Sequence, residues 1–290
     1  HVVPILDTLS GICEVYLIFG NTDFRRNVIR LKLLFEQKHP HIHMLDGGGE
    51  FVFINKKSKS NNAQNTSNNN TTPNDATRIA MNNNNTSDST IPDTTEQCDA
   101  DSYVLFGYSF VPLSPHKKKD FEKWDMNMEL SEIASVPTQR VFGTKGYSSV
   151  GDDYISIVID LEKEIQIKNT IETDLEALLS SFLESHPNIP SSKFIWMIHG
   201  PPFRTCLDRT GKSGHVGSVA IHEAIKKFQP AATFHGHIHE TVNMSNGRFR
   251  EEIGKTSSYS AGNIYGKKLS YLILDTASPA SAKRYSANAW

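Results

Sequence analysis

Phe194-Ile195-Trp196-Met197-Ile198-His199-Gly200-Pro201-Pro202 and Ala231-Ala232-Thr233-Phe234-His235-Gly236-His237-Ile238-His239-Glu240 are the two stretches that decide the fold. Each opens with a short apolar run bounded by Gly or Pro, the pattern of a buried strand. Each run then delivers imidazoles at its end. In open α/β sheets ligands bind beyond the carboxyl ends of the strands, and imidazole is the commonest nitrogen ligand for divalent transition metals. Read as extended chain, His237 and His239 leave the same face, while Gly236 lets the backbone turn or approach a ligand closely. The plainer account is a set of surface loop histidines, in a chain that has 12. Against it stands the coincidence of two strand-end clusters with a third motif upstream.

That third motif is Gly20-Asn21-Thr22-Asp23, placed directly after the apolar run Val15-Tyr16-Leu17-Ile18-Phe19. The ordered set of Gly-Asn-x-Asp, a His-Gly after a strand and Gly-His-x-His after another resembles the second half of the calcineurin-like metallophosphoesterase signature. The resemblance runs from about Val15 to about Asp275, apart from one low-complexity insert. It implies two packed mixed β-sheets flanked by helices, a four-layer α/β sandwich with two divalent metal ions (Mn, Fe, Zn or similar) at the strand ends. It also implies phosphate-ester hydrolysis, with a hydroxide bridging the metals and attacking phosphorus in line. Carried over residue by residue, Asn21, His199 and His237 hold one metal, His239 joins the other, and Asp23 orients the site.

Two departures from the family pattern matter. Many members carry His where this chain has Thr22, and a threonine hydroxyl has no useful acidity near neutral pH. Thr22 is left as a substrate contact, and His215 becomes the candidate to supply the missing catalytic and substrate-binding imidazole. The family's early Asp-x-His and Gly-Asp motifs precede Gly-Asn-x-Asp, whereas Leu6-Asp7-Thr8-Leu9 matches neither. The resemblance therefore implies on the order of 50 further residues ahead of His1, the scale of a βαβ unit, and poor turnover by residues 1–290 alone. Two other readings follow from the same departures: a catalytically degenerate phosphoesterase fold serving as a protein-interaction platform, as in a membrane-coat subunit of the retromer assembly, or a single-metal binding module.

Composition bounds the remainder. A chain of 290 residues suits one large domain. The net charge of −2 carries no nucleic-acid signature. Cys13, Cys98 and Cys206 are widely spaced and odd in number, which suits a reducing, cytoplasmic compartment. No apolar run approaches the roughly 20 residues that span a bilayer. The expected partner is a phosphorylated substrate whose class (monoester, diester, cyclic nucleotide or phosphoprotein) stays open, since fold likeness does not choose among substrates.

Along the chain, Phe24, Val28, Leu31 and Phe35 recur at helical spacing, with Asp23 as cap and Pro40 as stop. Strands are expected at His41 to Leu45, with His41 and His43 facing solvent, and at Phe51 to Ile54. Residues 56–100 are Asn-, Ser- and Thr-rich and should be disordered, a loop extension within one domain. The insert splits a hairpin whose second strand is Tyr103 to Phe106. The run His116-Lys117-Lys118-Lys119-Asp120 reads as a solvated turn, and Trp124 to Val150 as a long excursion over the fold. Tyr154 to Asp160 fits strand or helix. Ile171 to Ser185 is the clearest helix, with Ile171, Leu175, Leu178, Leu179, Phe182 and Leu183 on one face. A second helix starts near Ser218 and points Val219, Ala220, Ala224, Ile225 and Phe228 inward, with His222 on its surface. Gly211-Lys212-Ser213 lacks the upstream glycine of a P-loop. A strand at Leu269 to Leu274 and a polar tail close the chain.

Overall fold

The computed structural model describes residues 2–36, 38–45, 48–55, 78–80, 102–129, 132, 145–151, 153–158, 166–167, 169–211, 214–263 and 268–288. Helix α1 (Val2–Ser10) leads into β1 (Val15–Leu17), α2 (Arg25–Glu36), β2 (Ile42–Met44), β3 (Glu50–Asn55), β4 (Arg78–Ala80) and β5 (Ser102–Tyr108). Short strands follow at β6 (Val111–Pro112), β7 (Glu122–Lys123) and β8 (Met128–Glu129), then β9 (Lys145–Val150), β10 (Asp153–Val158) and β11 (Gln166–Ile167). The second half holds α3 (Ile171–Ser185), β12 (Phe194–Ile198), β13 (Arg209–Thr210), β14 (Gly214–His215), α4 (Val219–Phe228) and β15 (Ala232–His235). It ends with α5 (Thr241–Met244), β16 (Arg250–Ile253), β17 (Thr256–Ser260), β18 (Lys268–Asp275) and β19 (Ser278–Asn288).

The result is a mixed α/β fold around a seven-stranded mixed sheet in the order β16-β17-β15-β12-β5-β3-β4. Strands β17, β15, β12 and β5 run parallel, so their carboxyl ends lie along one edge. β3 joins β5 antiparallel, with Ile54 opposite Tyr103 and Phe51 opposite Phe106, the hairpin split by the insert. The expectation of a wholly disordered insert needs one correction. Arg78–Ala80 pairs antiparallel with Glu50–Val52, giving the first half of β3 a second backbone partner. The rest of 56–100 lies outside the described residues.

One face of the sheet carries the main core. Helix α3 buries Ile171, Leu175, Leu178, Leu179 and Phe182, and α4 buries Ala220, Ile221 and Ile225, against Phe51, Phe106, Phe194 and Trp196. Phe182 stacks on Phe51 with centroids 4.1 Å apart. Thr170 starts α3 with a reciprocal capping box with Thr173. On the opposite face, Tyr16 and Ile18 after the start of β1 pack with Leu45, Val52, Leu105 and Ile195. Beyond them Leu6 and Phe35, from the first two helices, close over Val15, Ile42 and Met44.

Several local expectations change. Asp23 does not cap α2; Asp120 Oδ2 accepts the Arg25 N–H at 2.8 Å, while Asp23 turns back to Gly20. His41 and His43 do not simply face solvent, because Glu14 holds both, at 2.8 and 2.9 Å, and His43 stacks on Tyr16. Residues 153–158 are strand, paired with β9. The polar tail is the strand β19, where Tyr285 stacks opposite Tyr271; backbone pairing and this cross-strand contact hold a segment with little apolar content. His222 is half-buried rather than a free surface group, and its Nδ1–H donates to Phe203 O at 2.7 Å.

Candidate metal centre

β1, β12 and β15 deliver Asn21, His199 and His237 to one place. Past β1, the Phe19 N–H donates to Ser109 Oγ just beyond β5, which ties the Gly20–Asp23 turn to the end of the main sheet. Asp23 closes that turn twice: its N–H donates to Gly20 O at 3.0 Å, and its Oδ2 accepts the Gly20 N–H at 2.9 Å. Asn21 is thereby presented on a stiff loop and is only 3% exposed. Its Oδ1 lies 3.1 Å from His237 Nδ1. The His199 and His237 rings stand edge to face with centroids 5.4 Å apart.

Glycine makes room for His199. A Cβ on Gly20 would fall 2.9 Å from His199 Nε2, and one on Gly236 would fall 3.1 Å from its Nδ1. The ring sits between two bare backbones. His237 lies at φ 63°, in the left-handed region that only a few non-glycine residues enter. The segment past β15 is accordingly a turn, with the Ile238 N–H donating to Gly236 O, and not the extended chain expected from the residue pattern. His237 and His239 do not share a strand face. His239 is exposed, and its carbonyl accepts the Asn263 N–H.

His235, last residue of β15, belongs to the framework. Its Nδ1–H donates to Gly200 O at 2.8 Å and Ile198 O at 3.1 Å, and its Nε2 lies 2.8 Å from Thr233 Oγ1. Burial pushes His199 down to about 4, helped by His239 and His235. Burial likewise pushes His237 down to about 3, helped by His199, His116 and His239. Both rings are therefore neutral at pH 7, the form whose nitrogen lone pair can bind a cation. His116, read in the sequence only as part of a basic turn, thus lies near enough to act on His237.

The donor set fits one ion. Two imidazoles on a tetrahedral ion with nitrogens at ~2.0–2.1 Å have centroids about 5.2 Å apart, close to the observed 5.4 Å. Asn21 Oδ1 and His237 Nδ1 are within hydrogen-bond distance of each other at 3.1 Å, a separation that also lies in the range of about 3.0–3.4 Å between neighbouring ligand atoms on such an ion. Two imidazoles and an amide oxygen suit a divalent transition ion. Among the described residues, no group of three or more His, Cys, Asp or Glu side chains is arranged to hold a metal. The Asn21–His199–His237 set brings together only two such side chains, so an ion there would rest on the Asn21 amide oxygen as its third donor.

The remaining candidates take other places. Thr22 is exposed, and its carbonyl accepts from Lys118 Nζ. His215 lies on β14, in the loop that leaves His199 and returns where Ser218 N–H donates to Pro201 O. Its Nδ1 is 2.6 Å from Oδ1 of fully buried Asp208, which also accepts the N–H groups of Arg204, Thr205 and Gly217. Asp208 fixes the His215 ring through its Nδ1. Residue order offers no hint of this pair, since a lone Asp seven residues before a His has no motif.

No family model matches the chain, and no curated protein matches it. Two solved structures align with it. One crystal structure covers 100% of the chain and 73% of its own length, at 14% identity and a TM-score of 0.47. The crystal structure of TT1561 of Thermus thermophilus covers 96% of the chain and 73% of its own length, at 11% identity and a TM-score of 0.41. No helix among the described residues is long and apolar enough to cross a membrane.

Proposed function

We propose that this chain is a metal-dependent hydrolase of phosphate esters, a phosphatase-type phosphoesterase of the calcineurin-like kind built as a four-layer sandwich. The observation that carries the reading is the meeting of Asn21 Oδ1, His199 and His237 beyond three strand ends, with both rings neutral. In this reading those three side chains would hold one divalent ion, and His239 is the histidine that would be left for a second. The bound ions would neutralise phosphate oxygens and lower the pKa of a water molecule toward neutrality.

The chain's own groups supply the rest. Asp23 keeps the Asn21 turn closed. His235 locks the ends of β12 and β15 together through the Ile198 and Gly200 carbonyls, so the two metal-facing histidines cannot drift apart. His215, steadied by Asp208, stands as the acid that protonates the leaving oxygen in place of the residue at Thr22. The test is hydrolysis of p-nitrophenyl phosphate and bis-p-nitrophenyl phosphate with and without Mn²⁺, by the full-length protein carrying the wild-type residue or His237→Ala. Turnover that needs Mn²⁺ and disappears in His237→Ala supports the reading; turnover unaffected by chelation overturns it. A protein-interaction platform on the same fold is the second reading, favoured by Thr22, and would bind Mn²⁺ without turnover.

A further inference from the structure

A buried ion pair stands directly behind the proposed metal ligand Asn21. Lys119 and Glu122 lie 2.6 Å apart, with side chains only 2% and 0% exposed. Removing two charges from water is costly, so such a pair is poor evidence of stabilisation and invites another explanation. Its surroundings supply one. Glu122 Oε2 accepts from Lys119 Nζ and from the Ser114 N–H at 3.0 Å. Glu122 Oε1 accepts the Ser114 hydroxyl and the Asn21 Nδ2–H, the latter at 3.4 Å. Lys119 also donates to Ser114 O at 2.8 Å, which closes the group on itself.

Resting on the metal reading above, we infer that Glu122, held by Lys119 and Ser114, is the positioning residue that fixes which way the Asn21 carboxamide faces. A carboxamide has one accepting end and one donating end. Ser114 commits its hydroxyl proton to Glu122, so its Oγ can only accept, from the His116 N–H at 3.2 Å and from Asn21 Nδ2 at 3.5 Å. Both atoms facing Nδ2 are therefore acceptors, one of them on a carboxylate. Turning the amide over would set Oδ1 against those lone pairs. The oxygen is left facing His237, as an ion held there requires. Asp23 fixes the backbone of Asn21 and Glu122 fixes its amide, a division of labour typical of groups standing behind metal ligands.

Glu122→Gln tests this because four donor groups converge on a side chain that would then have one oxygen. That oxygen stays with the cation and the Ser114 N–H, so the new NH₂ faces Asn21 and turns its carboxamide over. Isothermal titration of the full chain with Mn²⁺ should show affinity reduced about 10–100-fold in Glu122→Gln. In an Asn21→Ala background the same substitution should change affinity less than about 2-fold, because the residue acts through Asn21. If circular dichroism shows that Glu122→Gln does not fold, Ser114→Ala carries the test, with a loss of roughly 3–10-fold that also vanishes in Asn21→Ala. Wild-type affinity in the folded variants, or an equal loss in both backgrounds, overturns the inference while leaving the metal reading intact. A wild-type chain that binds no Mn²⁺ overturns the metal reading and this inference with it.

Discussion

Replacing Gly20 with Ala should cost the site its metal while leaving the fold largely in place. The added Cβ would lie 2.9 Å from His199 Nε2, 3.0 Å from Cε1 and 3.6 Å from Cδ2. Non-bonded heavy atoms settle near ~3.5 Å, so the ring must retreat by roughly half an ångström. Ligand distances tolerate about 0.2 Å, so Mn²⁺ affinity should fall about 10–100-fold. The clash itself should cost about 1–3 kcal/mol of stability. The two effects separate in thermal unfolding with and without Mn²⁺. At 100 times the wild-type Kd, bound ion stabilises the wild type by about 2.7 kcal/mol; after a 30-fold loss of affinity the gain is about 0.9 kcal/mol. Gly11→Ala is the control, since its Cβ meets only Thr8 O at 3.6 Å and Asp7 O at 3.9 Å, ordinary contacts. If Gly20→Ala keeps the full metal-induced gain, the reasoning about His199 is wrong.

Other substitutions probe the surrounding structure. In the full-length protein His215→Ala should lower turnover about 100-fold or more while Mn²⁺ affinity stays within about 2-fold of wild type, a split read from kcat and titration together; a parallel loss of both would remove His215 from the acid role. Hydrogen bonds from Ser148, Ser149 and the Arg25 backbone outweigh burial, which works the other way, and hold Asp120 below its ordinary 3.8. Its contribution is therefore present above pH 3.8 and lost as pH falls below that value. Asp120→Asn should reduce stability at pH 7 by about 1–3 kcal/mol and flatten the acid limb of the urea midpoint against pH; an unchanged limb refutes it. Phe182→Ala should cost about 3–5 kcal/mol in urea unfolding, given its stacking on Phe51 and its edge contact with Phe194; a loss under about 1 kcal/mol would mean that α3 is not central to the core.

Local chemistry made some of this legible from residues alone. Helix α3 is declared by its apolar spacing and its buried stripe, and β12 and β15 by short apolar runs that Gly and Pro bound. The strand β17 was hidden, because Thr256-Ser257-Ser258-Tyr259-Ser260 is polar yet fully enclosed. Its hydroxyls find buried partners: Thr256 Oγ1 donates to Pro230 O, and Ser258 Oγ receives Thr233 Oγ1. No periodicity announces partners that arrive from another strand. At the site, residue type and order singled out the imidazoles but not their separate tasks. His235 and His237 are two positions apart, and only the left-handed turn at His237 sends one into the framework and the other toward Asn21. Glu122 and Ser114 reach Asn21 across 101 and 93 residues of chain, a distance over which no motif operates.

The most direct measurement is a Mn²⁺ titration followed by paramagnetic broadening of the histidine ring signals, with His237→Ala beside the wild type. The first ion should broaden His199 and His237 before any other ring, including the His41 and His43 pair held by Glu14, and His237→Ala should weaken that ion by about 100-fold or more. Broadening that begins at His41 and His43, or an unchanged affinity in His237→Ala, would contradict a metal centre at Asn21, His199 and His237.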